Sequence, residues 1–167
     1  MIFGKTKATQ RPITSPDFAS MGLVRFIAAR LRRSPKPGST SAHLELGQTG
    51  ENLAARHLRR NGYKILYRNF RGPHGGEVDI VCRDKREKKL VFVEVKTRAS
   101  EQYGRPITAV NQAKQVFIAR GALAWLRLLD DPEVPFRFDV VEVVMDTPQP
   151  TLTIVQNAFS LPAPYRY

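Results

Sequence analysis

Past residue 40 the apolar positions change period several times, and each change marks an element. From Glu45 to Asn61 they recur every three to four residues, the helical period, and Gly62 follows where a left-handed cap is expected. Glu51, Ala54, Ala55 and Leu58 fall at i, i+3, i+4 and i+7, so this helix carries an acid on its apolar stripe. Tyr63 to Phe70 alternate as a strand, and Arg71-Gly72-Pro73-His74-Gly75-Gly76 reads as a turn whose glycines either permit close approach of a phosphate backbone or serve the turn alone. A second strand opens at Asp79. The polar run Asp84-Lys85-Arg86-Glu87-Lys88-Lys89 separates it from a third, Leu90 to Lys96. After the polar stretch Ala99 to Arg105, a helix is predicted from about Pro106 to Leu129, with Val110, Phe117, Ala124 and Leu128 on the core stripe beside Ile118 and Trp125. Phe136 to Val144 is a further strand, and Thr151 to Val155 can pair at an edge. The order α-β-β-β-α-β predicts an α/β fold in which a mixed sheet is flanked by helices.

Parity sharpens the two strands after the turn. Side chains two apart share a face, so Glu77, Asp79 and Val81 are set against Val78, Ile80 and Cys82. On the next strand Leu90, Phe92, Glu94 and Lys96 oppose Val91, Val93 and Val95. Both strands are apolar on both sides, the pattern of strands covered on two faces. Charges placed there need mutual pairing or a cation, because an uncompensated buried carboxylate takes up a proton or costs several kcal/mol. Two acids within reach of one point make an oxygen site for a hard divalent ion such as Mg²⁺, and a neighbouring lysine then serves phosphate or nucleophile. The competing reading is an exposed strand end with Glu94 and Lys96 as a surface pair, worth about 0–1 kcal/mol.

Composition narrows the partner. The 167 residues carry a net charge of +12, of which residues 1–40 hold +7 and the remainder +5. Such a balance favours polyanions, since neutralising phosphates releases counterions. Residues 1–20 lack periodicity and are expected to be a disordered tail; Met21 to Arg33 can form a short basic helix that Ser34-Pro35-Lys36-Pro37-Gly38-Ser39 breaks. For that segment a DNA-contacting arm, a membrane-surface or targeting segment, and sequence merely preceding the domain at 41–167 stay open. The single Cys82 leaves no intramolecular disulfide framework or cysteine-rich zinc site and fits a reducing, cytoplasmic setting. No apolar run reaches the roughly 20 residues that span a bilayer. His43, His57 and His74 lack ligand spacing, and no P-loop, G-x-G-x-x-G or G-x-S-x-G pattern occurs.

An acid on the first helix, an acid on the second strand and Glu94-Val95-Lys96 on the third together resemble the restriction-endonuclease-like, or PD-(D/E)XK, nuclease superfamily. Gly50-Glu51, Asn61-Gly62-Tyr63, Arg68-Asn69, Gly76-Glu77-Val78-Asp79-Ile80-Val81 and Val91 to Arg98 are more narrowly similar to the YraN-like family of small bacterial proteins. The resemblance covers Glu45 to Val144. It implies that Asp79 and Glu94 ligate Mg²⁺, with Mn²⁺ as substitute, helped by the Val95 carbonyl. Lys96 then positions or activates the attacking water, and Glu51 completes the site as in the Holliday-junction-resolvase branch. Glu77 rivals Asp79 for part of its role; Gln112 and Lys114 are auxiliary candidates, and Lys114 either snorkels to solvent or aims at the carboxylates. Arg71, Arg98 and Lys114 are candidate nucleic-acid contacts. Val78 stands where the superfamily's proline usually precedes the strand acid. The implied activity is metal-dependent hydrolysis of DNA phosphodiesters, branched or structured DNA by analogy with resolvases, which act as homodimers. The alternatives are an inactive nucleic-acid-binding accessory protein of the same fold and a membrane-surface-associated basic protein.

Overall fold

Five strands form one mixed sheet in the order β1-β2-β3-β4-β5, the order in which the chain makes them. The computed structural model describes residues 41–99, 110–129, 134–145, 148–163 and 165. The N-terminal segment, with the short helix expected at 21–33, lies outside the described residues, as does the start expected for the second helix at Pro106. Helix α1 spans Ser41–Arg60, β1 Tyr63–Arg71, β2 Glu77–Asp84, β3 Leu90–Arg98, α2 Gln112–Leu128, β4 Phe136–Val144 and β5 Thr151–Phe159. Strands β1, β2 and β3 run as an antiparallel meander, β3 and β4 pair in parallel across the α2 connection, and β5 closes the sheet antiparallel to β4.

Each face of the sheet has its own core, as the doubly apolar strands predicted. On one face Ala54, Ala55 and Leu58 of α1 pack on Ile80, Cys82, Val91, Val93, Val141 and Val143. On the other Ile118, Ala119, Ala122, Trp125 and Leu126 of α2 pack on Phe70, Val78, Val81, Leu90, Phe92, Phe138 and Val140. Phe70 and Trp125 meet edge to face there, centroids 5.1 Å apart. The stripe expected on α2 is therefore turned: Phe117 is 39% exposed, because the residues that face the sheet are Ile118, Ala122 and Trp125 with Ala119 and Leu126.

Simple alternation also fails at one level of the sheet. Phe70 pairs with Val78 and Arg68 with Ile80, yet Phe70 and Val78 belong to the α2-side core while Ile80 belongs to the α1-side core. Val78 thus shares a face with Val81, not with Ile80. Between Arg68 and Phe70 lies Asn69 at φ 55°, a left-handed backbone that asparagine adopts more readily than most residues and that turns the strand over. Asp79 sits at this kink on β2.

Candidate active site

Hydrogen-bonded pairing between β2 and β3 runs from Arg83↔Leu90 to Ile80↔Val93 and stops. One residue beyond, a side chain replaces the ladder: Asp79 Oδ2 accepts from the Val95 N–H at 2.9 Å. The Asp79 carboxylate thus bridges β2 to β3 beyond the end of their pairing, at the residue that follows Glu94. Both acids are buried, Asp79 at 4% and Glu94 at 3% exposure. Desolvation of that degree is tolerable only with counter-charge.

Lysines from two elements supply it. Lys96 shares a face with Glu94 and donates to Glu94 Oε1 at 2.8 Å. Lys114, in the first turn of α2, places Nζ 3.0 Å from Glu94 Oε2, an ion-pair distance without hydrogen-bond alignment. Of the two fates open to Lys114, the structure takes the one aimed at the carboxylates. Burial opposes its charge, but Glu94, Asp79 and Glu77 hold its pKa above the ordinary lysine value. Glu77 is itself buried and lies 3.6 Å from Arg71 Nε.

Two glycines let α2 come close enough for this. A Cβ on Gly76, at φ 91°, would strike the Gly121 and Arg120 backbone, and one on Gly121 would press on Val78 and Glu77. The turn before β2 and the middle of α2 therefore touch through main chain. Gly76 answers to the backbone of α2, a contact the sequence reading of a phosphate approach or a plain turn did not include. At the start of α2, Asn111 caps the helix, its side chain accepting from Lys114 N at 2.9 Å and fixing the turn that carries Lys114. Gln112 is exposed on that turn.

Glu51 approaches from the other face. Because α1 begins at Ser41, Glu51 lies in mid-helix, on the buried stripe with Ala54, Ala55 and Leu58. Gly50 lies so close to Thr97 of β3 that a Cβ would overlap the threonine side chain. Glu51 Oε2 accepts from Asn69 Nδ2 at 2.9 Å and lies 3.6 Å from an Arg68 guanidinium nitrogen. Among the described residues no three His, Cys, Asp or Glu side chains form a metal-holding group. Asp79 and Glu94 lie on adjoining strands at the end of the β2–β3 ladder and act with Glu77 on Lys114, and Glu51 is linked to the Asp79 level of the sheet through Asn69. Two carboxylates suffice for Mg²⁺, which keeps waters and substrate phosphates in its remaining positions, so the donors present fit that ion. Arg98, another candidate contact, lies 3.7 Å from Glu142 Oε1 at the same end of the sheet.

A second polar cluster, which sequence reasoning missed, occupies the opposite end of the sheet. Arg137 donates to Asp139 at 2.9 Å and to Asp84 at 2.9 Å, and it also donates to Tyr63 Oη at 3.0 Å. Gln156 donates to the same hydroxyl at 2.7 Å, and Asn157 N donates to Asp139 at 2.9 Å. These bonds tie β1, β2, β4 and β5 together. The signal was the spacing of Arg137 and Asp139 on one strand face. No helix among the described residues is long and apolar enough to cross a membrane.

The chain's residues 50–143 match the profile described as "Uncharacterised protein family UPF0102". A UPF0102 protein of Trichlorobacter lovleyi is 50% identical over 117 residues, covering 70% of this chain and 91% of the relative. One from Geobacter sulfurreducens is 50% identical over 117 residues, covering 70% and 89%. One from Chlorobaculum tepidum is 48% identical over 99 residues, covering 59% and 74%. The matched segment contains Glu51, Asp79, Glu94, Lys96 and Lys114, and leaves out residues 1–40 and β5.

Proposed function

The chain belongs to UPF0102, the YraN-like family of the restriction-endonuclease-like superfamily, and from that premise we propose that it is a divalent-metal-dependent nuclease cleaving DNA phosphodiesters, branched or structured DNA foremost. The observation that carries this reading is that two buried acids, Asp79 and Glu94, lie on adjoining strands where the β2–β3 pairing ends, with lysines on both oxygens of Glu94. A protein that only binds a polyanion gains nothing from buried acids facing it. The same acids gain a purpose if they hold a cation between protein and phosphate.

In this reading Asp79, Glu94 and the Val95 carbonyl hold Mg²⁺ or Mn²⁺. When bound, the ion supplies Lewis-acid stabilisation of charge developing on the phosphate. The Val95 N–H orients Asp79, and Asn69 and Arg68 orient Glu51, which supports the site from the α1 side. Lys96 Nζ is a donor with no acceptor capacity, so it orients a nucleophilic oxygen and favours its deprotonated form instead of removing the proton itself. Arg71 and Arg98 flank the acids and are assigned to the phosphate backbone, in keeping with the +12 charge.

The test is Mg²⁺- or Mn²⁺-dependent nicking of four-way-junction and linear DNA by the wild type and by Asp79→Ala. Cleavage by the wild type alone is expected. Equal cleavage by both preparations would assign the activity to a contaminant and end the nuclease reading.

A further inference from the structure

Glu94 divides its two oxygens between lysines that reach it for different reasons. Lys96 is brought to Oε1 by strand parity alone. Lys114 arrives at Oε2 from another element, carried by a helix turn that Asn111 caps and by the main-chain contact of Gly76 with Gly121. Among the described residues Glu77, Asp79 and Glu94 are offset here by Arg71, Lys96 and Lys114. A divalent ion on Asp79 and Glu94 adds two positive charges beside these ammonium groups, a repulsion that is relieved if a base leaves or an anion enters.

A divalent ion bound at Oε2 would repel the ammonium already beside that oxygen. A Mg²⁺ ligand lies about 2.0–2.1 Å from the ion, and an ammonium 3.0 Å from that same oxygen would face a double charge at close range. Lys96 can stay, because it holds the other oxygen. Lys114 has somewhere to go: its Nζ already lies 5.6 Å from the centroid of the Phe117 ring, and that ring is 39% exposed. An aromatic face beside water is a favourable resting place for an ammonium.

We infer that Lys114 holds Glu94 Oε2 until a divalent cation displaces it, and that the displaced ammonium, moving out along Phe117, then binds a phosphate of the nucleic acid. This rests on reading Asp79 and Glu94 as metal ligands and adds a coupling between metal and substrate. Lys114 lowers the affinity for metal when no nucleic acid is present. It raises the affinity for nucleic acid once metal has bound. Metal and nucleic acid are thereby taken up together.

The full-length chain is titrated calorimetrically with Mn²⁺ without nucleic acid, alongside Lys114→Met, Lys114→Arg and Asp79→Asn. Lys114→Met removes the competitor and is expected to bind Mn²⁺ about 5–150-fold more tightly, the usual span of coupling between sites. Lys114→Arg keeps the charge and stays near the wild type, and Asp79→Asn loses the binding. Unchanged or weaker binding by Lys114→Met, with Asp79→Asn still null, overturns the exchange and leaves the metal site standing. A wild type that binds no more Mn²⁺ than Asp79→Asn overturns both. A second readout uses the wild type alone: acetic anhydride labelling of Lys114, followed by mass spectrometry, rises on adding Mn²⁺ while that of exposed Lys85 does not. Constant labelling of Lys114 refutes the displacement whether or not the methionine variant folds.

Discussion

The Asp79 carboxylate takes the Val95 N–H at 2.9 Å, one residue past Glu94, so the acid that would hold a metal also joins β2 to β3 where their ladder has ended. Its chemical and structural roles are separable because an amide oxygen still accepts a hydrogen bond. Asp79→Asn should keep the strand contact and lose metal-dependent cleavage. Asp79→Ala should lose both, and be less stable than Asp79→Asn by about 0.5–1.5 kcal/mol, the net worth of a hydrogen bond. Urea unfolding beside a nicking assay checks the pair; equal stability would mean that the Val95 contact contributes nothing.

Gly76 sets how near α2 can come. Alanine there meets the backbone of α2 and a left-handed φ of 91°, and overpacking with backbone strain costs about 1–3 kcal/mol. Gly76→Ala should lower the urea midpoint and weaken cleavage together, since both α2 and its Lys114 are pushed outward. Gly75→Ala, with open space around the added carbon but a φ of 84°, should lower stability and leave cleavage largely intact.

The Arg137 cluster predicts an acid response. Burial opposes the charge on Asp84, but hydrogen bonds from Arg137 and from the Arg86 and Glu87 N–H groups outweigh it and hold its pKa below the ordinary carboxylate value. That stability is complete above the ordinary range, near pH 4, and is lost as pH falls through the lower folded value. Arg137→Met leaves Asp139, at 0% exposure, without its counter-ion and should cost about 3–5 kcal/mol at neutral pH. Its unfolding free energy should also fall less steeply below pH 4 than the wild type's. Urea titrations at pH 3, 5 and 7 measure both effects.

Cys82 should behave as a small buried hydrophobe. It is fully buried, and burial, followed by the field of Asp139, pushes its thiol far above the ordinary value. Ellman's reagent should label it only after denaturation. Rapid labelling of the native protein would contradict the burial.

Much of the candidate site was legible because local periodicity placed it. Glu51 fell on the stripe of Ala54, Ala55 and Leu58, and Glu94 and Lys96 fell on one face of β3; both placements hold in the structure. Phe117 was misplaced because helical spacing gives a wide apolar arc without saying which part faces the sheet, and Ile118, Ala122 and Trp125 won that position. Alternation failed along Val78 to Val81, where β2 lies opposite Asn69 with its positive φ and the register omits both Asn69 and Asp79. A period-2 count assumes regular strand backbone throughout.

By itself the sequence determined the element order, the two-sided burial of β2 and β3, the placement of Glu51 on an apolar helix stripe and of Glu94 and Lys96 on one strand face, and the positive charge that favours polyanions. Those properties follow from short-range spacing and composition, which folding does not change. Only the tertiary structure decided that Asp79 bridges to Val95, that Lys114 reaches Glu94, that Glu51 is engaged by Asn69 and Arg68, and that Asp84, Arg137 and Asp139 converge at the far end of the sheet. Each of these joins different elements or distant residues. Their distances depend on how closely helices and strands pack, set here by contacts such as Gly76 on Gly121 and Gly50 on Thr97.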